Sequence, residues 1–193
     1  MIGDLKDKAL KEGVPIIKDE GLAFLLNLIR EKKAGDILEL GTAVGYSAIM
    51  MAELDEGIRV DSIEKDEERY RQALTNVASC GLEGKIRLYH REIEGFVPDK
   101  SYDLIFVDAA KAQYGRYLEQ FIGYLRPDGV MVFDNMIFHG LIYDVDSIRS
   151  RSLRSLVRKI RAFREQVQND ERFDIMLFDN IGDGILVLTR RKL

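Results

Sequence analysis

The chain has 193 residues, of which 46% are hydrophobic and 32% charged, and its formal net charge is −4. This balance is typical of a soluble globular protein of one domain, residues 1–193, and it excludes a surface that is basic throughout, although not a local basic patch. The single cysteine, Cys80, excludes an internal disulfide, and with no signal-peptide or membrane-span pattern the sequence predicts a cytoplasmic protein.

Apolar runs that predict strands alternate with segments of helical periodicity. Five strands are predicted at 36–40, 58–63, 85–89, 103–107 and 129–133, and helices between them include 45–54, 66–79 and 112–124. Strands that are apolar throughout, rather than at alternate positions, predict a parallel sheet covered by helices on both faces. The last two runs, 173–178 and 184–189, are separated by DNIGDG, which predicts an antiparallel hairpin. The predicted fold is therefore α/β, with a mainly parallel seven-stranded sheet.

The first strand runs into ILELGTAVGYSAIMMA, a glycine turn that opens a helix. In a doubly wound sheet this turn binds nucleotides, although glycines can also serve only to make a tight turn. Gly41 and Gly45 are spaced G-x-x-x-G rather than G-x-G-x-x-G, which disfavours NAD and FAD. Glu39 could attract a cationic group, and Glu64, at the end of the second strand, could accept hydrogen bonds from ribose hydroxyls. Together these features indicate S-adenosylmethionine.

Polar side chains also end the fourth and fifth strands. YDLIFVDAAK carries Asp108 and Lys111, and GVMVFDN ends in Asp134 and Asn135. In neighbouring parallel strands these side chains would meet in the crevice beyond the carboxyl ends. Two carboxylates and an amide oxygen suit Mg²⁺ or Mn²⁺ better than zinc, whereas the alternative for Asp134 and Asn135 is a plain turn. Lys111 could take a proton from a substrate hydroxyl beside such a cation; without one it would be a surface lysine.

These motifs resemble those of the divalent-metal- and S-adenosylmethionine-dependent O-methyltransferases, the group of the catechol and caffeoyl-CoA O-methyltransferases. The resemblance extends from about VPIIKDEG to IGDGILVLTRR and implies a Rossmann-like class I methyltransferase fold. It implies that Lys111 is the catalytic base and that Asp108, Asp134 and Asn135 bind the metal. The cofactor-binding residues that it implies are Ile17, Glu39, Gly41, Thr42, Ser47, Glu64, Arg91, Glu92, Ile93 and Asp108. The implied reaction moves the methyl group of S-adenosylmethionine to a hydroxyl held by the metal.

The substrate is indicated by the basic stretch SIRSRSLRSLVRKIRAFREQ at 147–166. Its apolar residues recur at helical spacing, and an adjoining face carries a row of arginines, Arg151, Arg154, Arg158 and Arg161. Such a row could follow a phosphate backbone, whereas a solvated helix face is the alternative.

Within the family, DNMIFHGLI, this helix and IGDG are most similar to the bacterial branch that methylates 5-hydroxyuridine at the tRNA wobble position, giving 5-methoxyuridine. The resemblance therefore implies the tRNA anticodon as partner. A small catechol or hydroxycinnamoyl-type substrate is the alternative. A non-catalytic cofactor-binding or RNA-binding module is a third hypothesis, which the set of acids beside Lys111 disfavours.

The resemblance also implies a homodimer. The N-terminal segment contains Leu22, Phe24, Leu25 and Leu28, which could supply the contact between protomers. The same residues could equally form the core-facing side of an ordinary helix.

Overall fold

The computed structural model describes residues 2–191. Seven strands form one sheet in the order β3-β2-β1-β4-β5-β7-β6. The strands are β1 Asp36–Leu40, β2 Arg59–Glu64, β3 Ile86–His90, β4 Tyr102–Val107, β5 Leu125–Phe133, β6 Phe173–Phe178 and β7 Ile185–Arg190. β1 to β5 pair in parallel, whereas β7 is antiparallel to both β5 and β6. The predicted fold class and terminal hairpin are confirmed.

Six α-helices of the described residues, 2–191, cover the two faces of the sheet. They are α1 Ile2–Lys11, α2 Asp19–Lys32, α3 Tyr46–Ala52, α4 Glu67–Ser79, α5 Tyr114–Phe121 and α6 Arg151–Gln168. Successive strand residues point to opposite faces, so Leu104 packs in the cluster that contains α1 to α3, and Ile105 packs in the cluster that contains α5 and α6. The helix predicted at 112–124 is divided, because one-turn 3-10 segments flank α5 at Lys111–Gln113 and Ile122–Tyr124.

The apolar side chains of α2 serve the core of this chain. Leu22, Leu25 and Leu28 are buried, and the Phe24 ring lies 4.9 Å from that of Phe178. The structure therefore shows the core-facing alternative for this segment rather than a surface between protomers. Of the helices within residues 2–191, none combines the length and the apolar character needed to cross a bilayer.

The register of the parallel strands sets the position of the polar residues that follow them. Val107 of β4 is paired with Phe133 of β5, so Asp108 and Asp134 follow directly paired residues. The backbone N–H of Asp108 donates to the Leu40 carbonyl at 3.0 Å, and the N–H of Asp134 donates to the Val107 carbonyl at 3.2 Å. The ends of β1, β4 and β5 therefore lie next to one another, although Asp134 and Asn135 do not line the cleft described below.

Candidate active site

A cleft of about 410 Å³ lies beyond the carboxyl ends of β1, β2 and β4. Eight of the residues predicted to act in the site line it: Ile17, Gly41, Ser47, Glu64, Glu92, Ile93, Asp108 and Lys111. Lining residues that the sequence reasoning missed include Ile16, Ala43, Arg69, Gln113 and Tyr117. Ala43 and Ile16 lie in quoted motifs but carry no polar side chain to mark them, whereas the other three are brought to the cleft only by the folded chain.

Gly41 allows the end of β4 to approach the first loop closely. Its φ is +106°, and a Cβ atom built there would lie 2.3 Å from the carbonyl oxygen of Asp108. A side chain at this position would therefore separate the cofactor loop from Asp108. Gly41 of the sequence motif is therefore needed because only a residue without a side chain allows this close approach to Asp108.

Glu39 and Thr42 lie behind the wall of the cleft rather than on its surface. Glu39 is fully buried and accepts hydrogen bonds from the hydroxyls of Ser47 and Ser62. The Thr42 and Ser62 hydroxyls are 2.6 Å apart. Burial raises the pKa of Glu39 to about 8, although the two hydroxyls partly offset this. Of Glu39, Thr42, Ser47 and Ser62, only Ser47 lines the cleft. Glu39 is therefore connected to the cleft through its hydrogen bond with the Ser47 hydroxyl.

Glu64 holds the other side of the first loop. Its carboxylate accepts backbone N–H bonds from Ala43 at 2.8 Å and from Lys65 and Asp66 at 2.9 Å each. A carboxylate has about four acceptor positions, so these three bonds leave capacity for a further donor such as a ribose hydroxyl. Ala43 has a positive φ of 47°, and the bond from its N–H fixes that conformation.

The segment after β3 forms the far end of the cleft. Glu92 and Ile93 line it, whereas Arg91 is exposed and does not; its backbone N–H donates to the Glu64 carbonyl at 3.0 Å. The side-chain amide of Gln120 donates to the Ile93 carbonyl at 3.0 Å and holds this turn against α5. An apolar wall of Ile93 with the ring of Tyr117 suits a flat aromatic ligand.

Asp108, Lys111 and Asp134 are brought together at the strand ends. Lys111 Nζ lies 3.3 Å from Asp108 Oδ1, and both side chains are 22% exposed. Asp134 is buried, and its pKa rises to about 7, chiefly because of burial and then because of the nearby charge of Asp108. The Asn135 N–H donates to Asp134 Oδ1 at 2.7 Å. Asp108 and Lys111 are therefore close enough to Asp134 for their charges to act on it.

The donor set fits a hard divalent cation. Within residues 2–191 no three His, Cys, Asp or Glu side chains gather as a metal site, so a third protein ligand here would be an oxygen of another kind, such as that of the Asn135 amide. The Asn135 amide nitrogen donates to Asp183 Oδ2 at 3.2 Å, which directs its oxygen away from Asp183. Two carboxylates and one carbonyl oxygen suit Mg²⁺, which keeps several waters or substrate oxygens.

The four arginines of α6 that were predicted to form a row do not all line one groove. Arg151, Arg154 and Arg158 line a shallow groove with Lys159, whereas Arg161 lines another depression and bonds Glu165 at 3.2 Å. Arg154 is half-buried, and its guanidinium donates to the Ile148 carbonyl. The predicted row of four is therefore a groove of three arginines and one lysine.

A family model described as O-methyltransferase matches residues 4–192. The chain belongs to this family. A caffeoyl-CoA O-methyltransferase from Populus kitakamiensis is 32% identical over 189 residues, which cover 92% of this chain and 79% of the relative. Tapetum-specific methyltransferase 1 from Arabidopsis thaliana is 30% identical over 186 residues, covering 93% and 78%. The expected class, a S-adenosylmethionine-dependent O-methyltransferase, is confirmed.

Solved structures of family members have the same architecture. A Staphylococcus aureus protein assigned as a caffeoyl-CoA O-methyltransferase superposes with a TM-score of 0.94 at 32% identity, covering 98% of this chain and 91% of that one. An O-methyltransferase from Bacillus cereus in complex with SAH gives a TM-score of 0.83 at 24% identity, with 98% and 90% covered. At that identity the second likeness shows the fold alone.

Proposed function

We propose that this O-methyltransferase is Mg²⁺- or Mn²⁺-dependent, that Asp108, Asp134 and Asn135 hold the cation, and that Lys111 is the catalytic base. The observation that carries the proposal is the pairing of Val107 with Phe133, which sets the two acids side by side next to Lys111. The raised pKa of Asp134 supports it, because a buried acid beside another acid is where a cation would be held. The whole chain, 1–193, would act as one catalytic domain.

S-adenosylmethionine would lie in the cleft with its ribose at Glu64 and its adenine by Ile93 and Tyr117. When bound, the divalent cation would orient a substrate hydroxyl and acidify it. In its unprotonated form Lys111 Nζ would accept the hydroxyl proton, and the oxygen would then form a bond to the methyl carbon as the sulfur–carbon bond breaks. The electron pair of that bond stays on sulfur, which leaves S-adenosylhomocysteine. The contribution of the chain is to orient the reactants and to stabilise charge.

For the substrate we propose 5-hydroxyuridine at the wobble position of tRNA, in the cytoplasm. Its 5-oxygen and neighbouring 4-carbonyl oxygen form a pair like the two hydroxyls of a catechol. The α6 groove supports an RNA partner, because four cations line it and the acid that pairs with Arg158, Asp146, is itself exposed. The names of the relatives favour the second candidate, a small hydroxycinnamoyl or catechol substrate.

The substrate test uses the purified enzyme with labelled S-adenosylmethionine and Mg²⁺. We expect methylation of tRNA that carries 5-hydroxyuridine and loss of turnover in excess chelator. Methylation of caffeoyl-CoA or a catechol, without activity on that tRNA, would establish the second candidate. Full activity in chelator would refute the metal site.

The groove is tested by charge reversal. Arg158→Glu should weaken tRNA binding and reduce its salt dependence, since a phosphate contact is lost, without changing cofactor affinity. Arg30→Glu, at an exposed position of α2, is the matched control, and this variant should bind tRNA as the wild type does. Equal affinity of the two variants would exclude the groove as an RNA contact. A homodimer remains a proposal from the family resemblance, which analytical ultracentrifugation tests.

A further inference from the structure

A buried acid outside the predicted set touches the candidate metal site. Asp183 lies in the turn between β6 and β7 and is only 1% exposed. Its Oδ1 accepts the backbone N–H of His139 at 2.7 Å, and its Oδ2 accepts the Asn135 side-chain amide at 3.2 Å. Lys18 Nζ lies 3.5 Å from Oδ1 and balances the charge. The carboxylate thus bonds the loop that carries Asn135 at two points.

The turn that carries Asp183 is locked against this loop by its backbone. The N–H of Met136 donates to the Gly184 carbonyl and that of Ile137 to the Asp183 carbonyl, both at 2.9 Å. Gly184 has a φ of +84°, and a Cβ atom there would lie 2.7 Å from the Ile137 nitrogen. The position of the Asp183 carboxylate relative to Asn135 is therefore set independently of the bond between their side chains.

We propose that Asp183 is a positioning residue that sets the orientation of the Asn135 amide and so presents its oxygen to the metal. An ionised carboxylate only accepts hydrogen bonds, so the amide must turn its nitrogen to Asp183 and its oxygen to the opposite side. An amide turned the other way would place an N–H₂ group, which is no metal ligand, at the cation. The inference rests on the proposed metal site, and it follows the general use of outer hydrogen-bond partners to orient ligands.

The substitution Asp183→Asn isolates this role because it is nearly isosteric. The new amide keeps an oxygen for the His139 N–H, which is the shorter bond, and so directs its own N–H₂ group at Asn135. Two N–H₂ groups cannot bond each other, so Asn135 must turn its oxygen to residue 183 and its nitrogen to the metal. The loop keeps its backbone contacts while the metal loses one ligand.

The swapped double variant Asn135→Asp with Asp183→Asn provides the rescue. It restores an amide-to-carboxylate hydrogen bond with the roles exchanged, and a carboxylate has a second oxygen for the metal whichever way it turns. The formal charge of the pair also equals that of the wild type. Because a new carboxylate at 135 can itself strengthen Mn²⁺ binding, the single variant Asn135→Asp is the reference for the double variant. If Asp183 acts by orienting residue 135, Asp183→Asn costs no Mn²⁺ affinity in this background, and a loss there would overturn the inference.

A charge effect is separated from orientation by the background Asn135→Ala. With no amide to orient, Asp183→Asn should then change metal affinity by less than about threefold. An undiminished loss in this background would assign the effect to the charge of Asp183 and overturn the inference.

The measurement is Mn²⁺ binding, by titration calorimetry or by the electron paramagnetic resonance of free Mn²⁺, with saturating SAH and no substrate. Asp183→Asn should raise the Mn²⁺ dissociation constant by about 10- to 100-fold, with SAH affinity and thermal midpoint near those of the wild type. The double variant should return the Mn²⁺ constant to within about threefold of the wild type. Asp174→Asn, which removes an exposed partner of Arg191, is the control that should change nothing.

Two further results would overturn the inference: Mn²⁺ affinity of Asp183→Asn equal to that of the wild type, or a double variant as weak as Asp183→Asn alone. A wild-type protein that binds no Mn²⁺ would refute the proposed metal site itself, and this inference with it. Failure of the inference would be seen in the variants and failure of the proposed metal site in the wild-type protein, so the two can be distinguished.

Discussion

The buried acid Glu39 should make the stability of the protein depend strongly on pH. It is fully buried, and burial raises its pKa from 4.5 to about 8. An acid whose pKa is higher in the folded state binds its proton more tightly there. Its stabilisation is therefore complete below pH 4.5 and is lost as the pH rises through 8. At about 1.4 kcal/mol for each pH unit in this window, the loss reaches about 4 kcal/mol by pH 8.

The perturbation is Glu39→Gln, which keeps the size of the side chain and removes the titration. The assay is denaturant unfolding of both proteins, without ligands, at pH 5, 6, 7 and 8. The free energy of unfolding of the wild type should fall by about 3 kcal/mol relative to the variant between pH 5 and 8. Asp134, with a pKa of about 7, also makes the free energy of unfolding depend on pH, but it does so in both proteins. The difference between the two free energies therefore isolates the effect of Glu39.

Parallel pH profiles for the two proteins would refute this reasoning. They would mean that Ser47 and Ser62 stabilise the ionised carboxylate enough to cancel the effect of burial. A constant offset between the curves carries no information, because Gln can make weaker or stronger bonds to the same hydroxyls. Only the change of the difference with pH tests the protonation of Glu39.

Three further changes test separate parts of the structure. Lys111→Met should lower kcat by at least about 100-fold and leave the dissociation constant for S-adenosylmethionine unchanged, since a general base acts only on the chemical step. A kcat within about tenfold of the wild-type value would exclude Lys111 as the base. Gly41→Ala should lower the thermal midpoint and weaken cofactor binding, because its Cβ would meet the Asp108 carbonyl at 2.3 Å. Asp66→Ala should reduce the free energy of unfolding by about 1 kcal/mol, because Asp66 caps α4 through a 2.9 Å bond to the Arg69 N–H.

The sheet was predictable because its strands are buried on both faces and are therefore apolar throughout. Most predicted boundaries lie within two residues of those observed. The exception is β5, which begins at Leu125 rather than 129. Pro127 and Gly129 are residue types typical of turns, yet Leu125 already pairs with Tyr102, and the register shifts before Leu104. A local pattern of turn residues cannot show that an irregular strand continues across it.

The sequence predicted which residues follow the strands and so lie near the candidate site. It did not predict whether their side chains point into the cleft or into the protein interior. The sequence places Glu39 at a strand end, but its side chain turns inward because Ser62 of the neighbouring strand offers it a hydroxyl. Asp183 has a glycine on each side, a local pattern that indicates only a turn. Its contact with Asn135 joins positions 48 residues apart, which no local pattern encodes.

Strained backbone is concentrated in the two loops that form the site. Six non-glycine residues between 2 and 191 have positive φ, and four of them lie in these loops: Ala43, Asn135, Phe138 and His139. Each such conformation costs about 1–3 kcal/mol and persists only where its surroundings hold it. Glu64 accepts the Ala43 N–H, and Asp183 accepts the His139 N–H at 2.7 Å. Buried carboxylates therefore stabilise both loops, and the same two acids contact the proposed cofactor and metal regions. A substitution at either acid should thus be judged by ligand binding and by unfolding together, because Glu64 lines the cleft and Asp183 holds Asn135 of the proposed metal site.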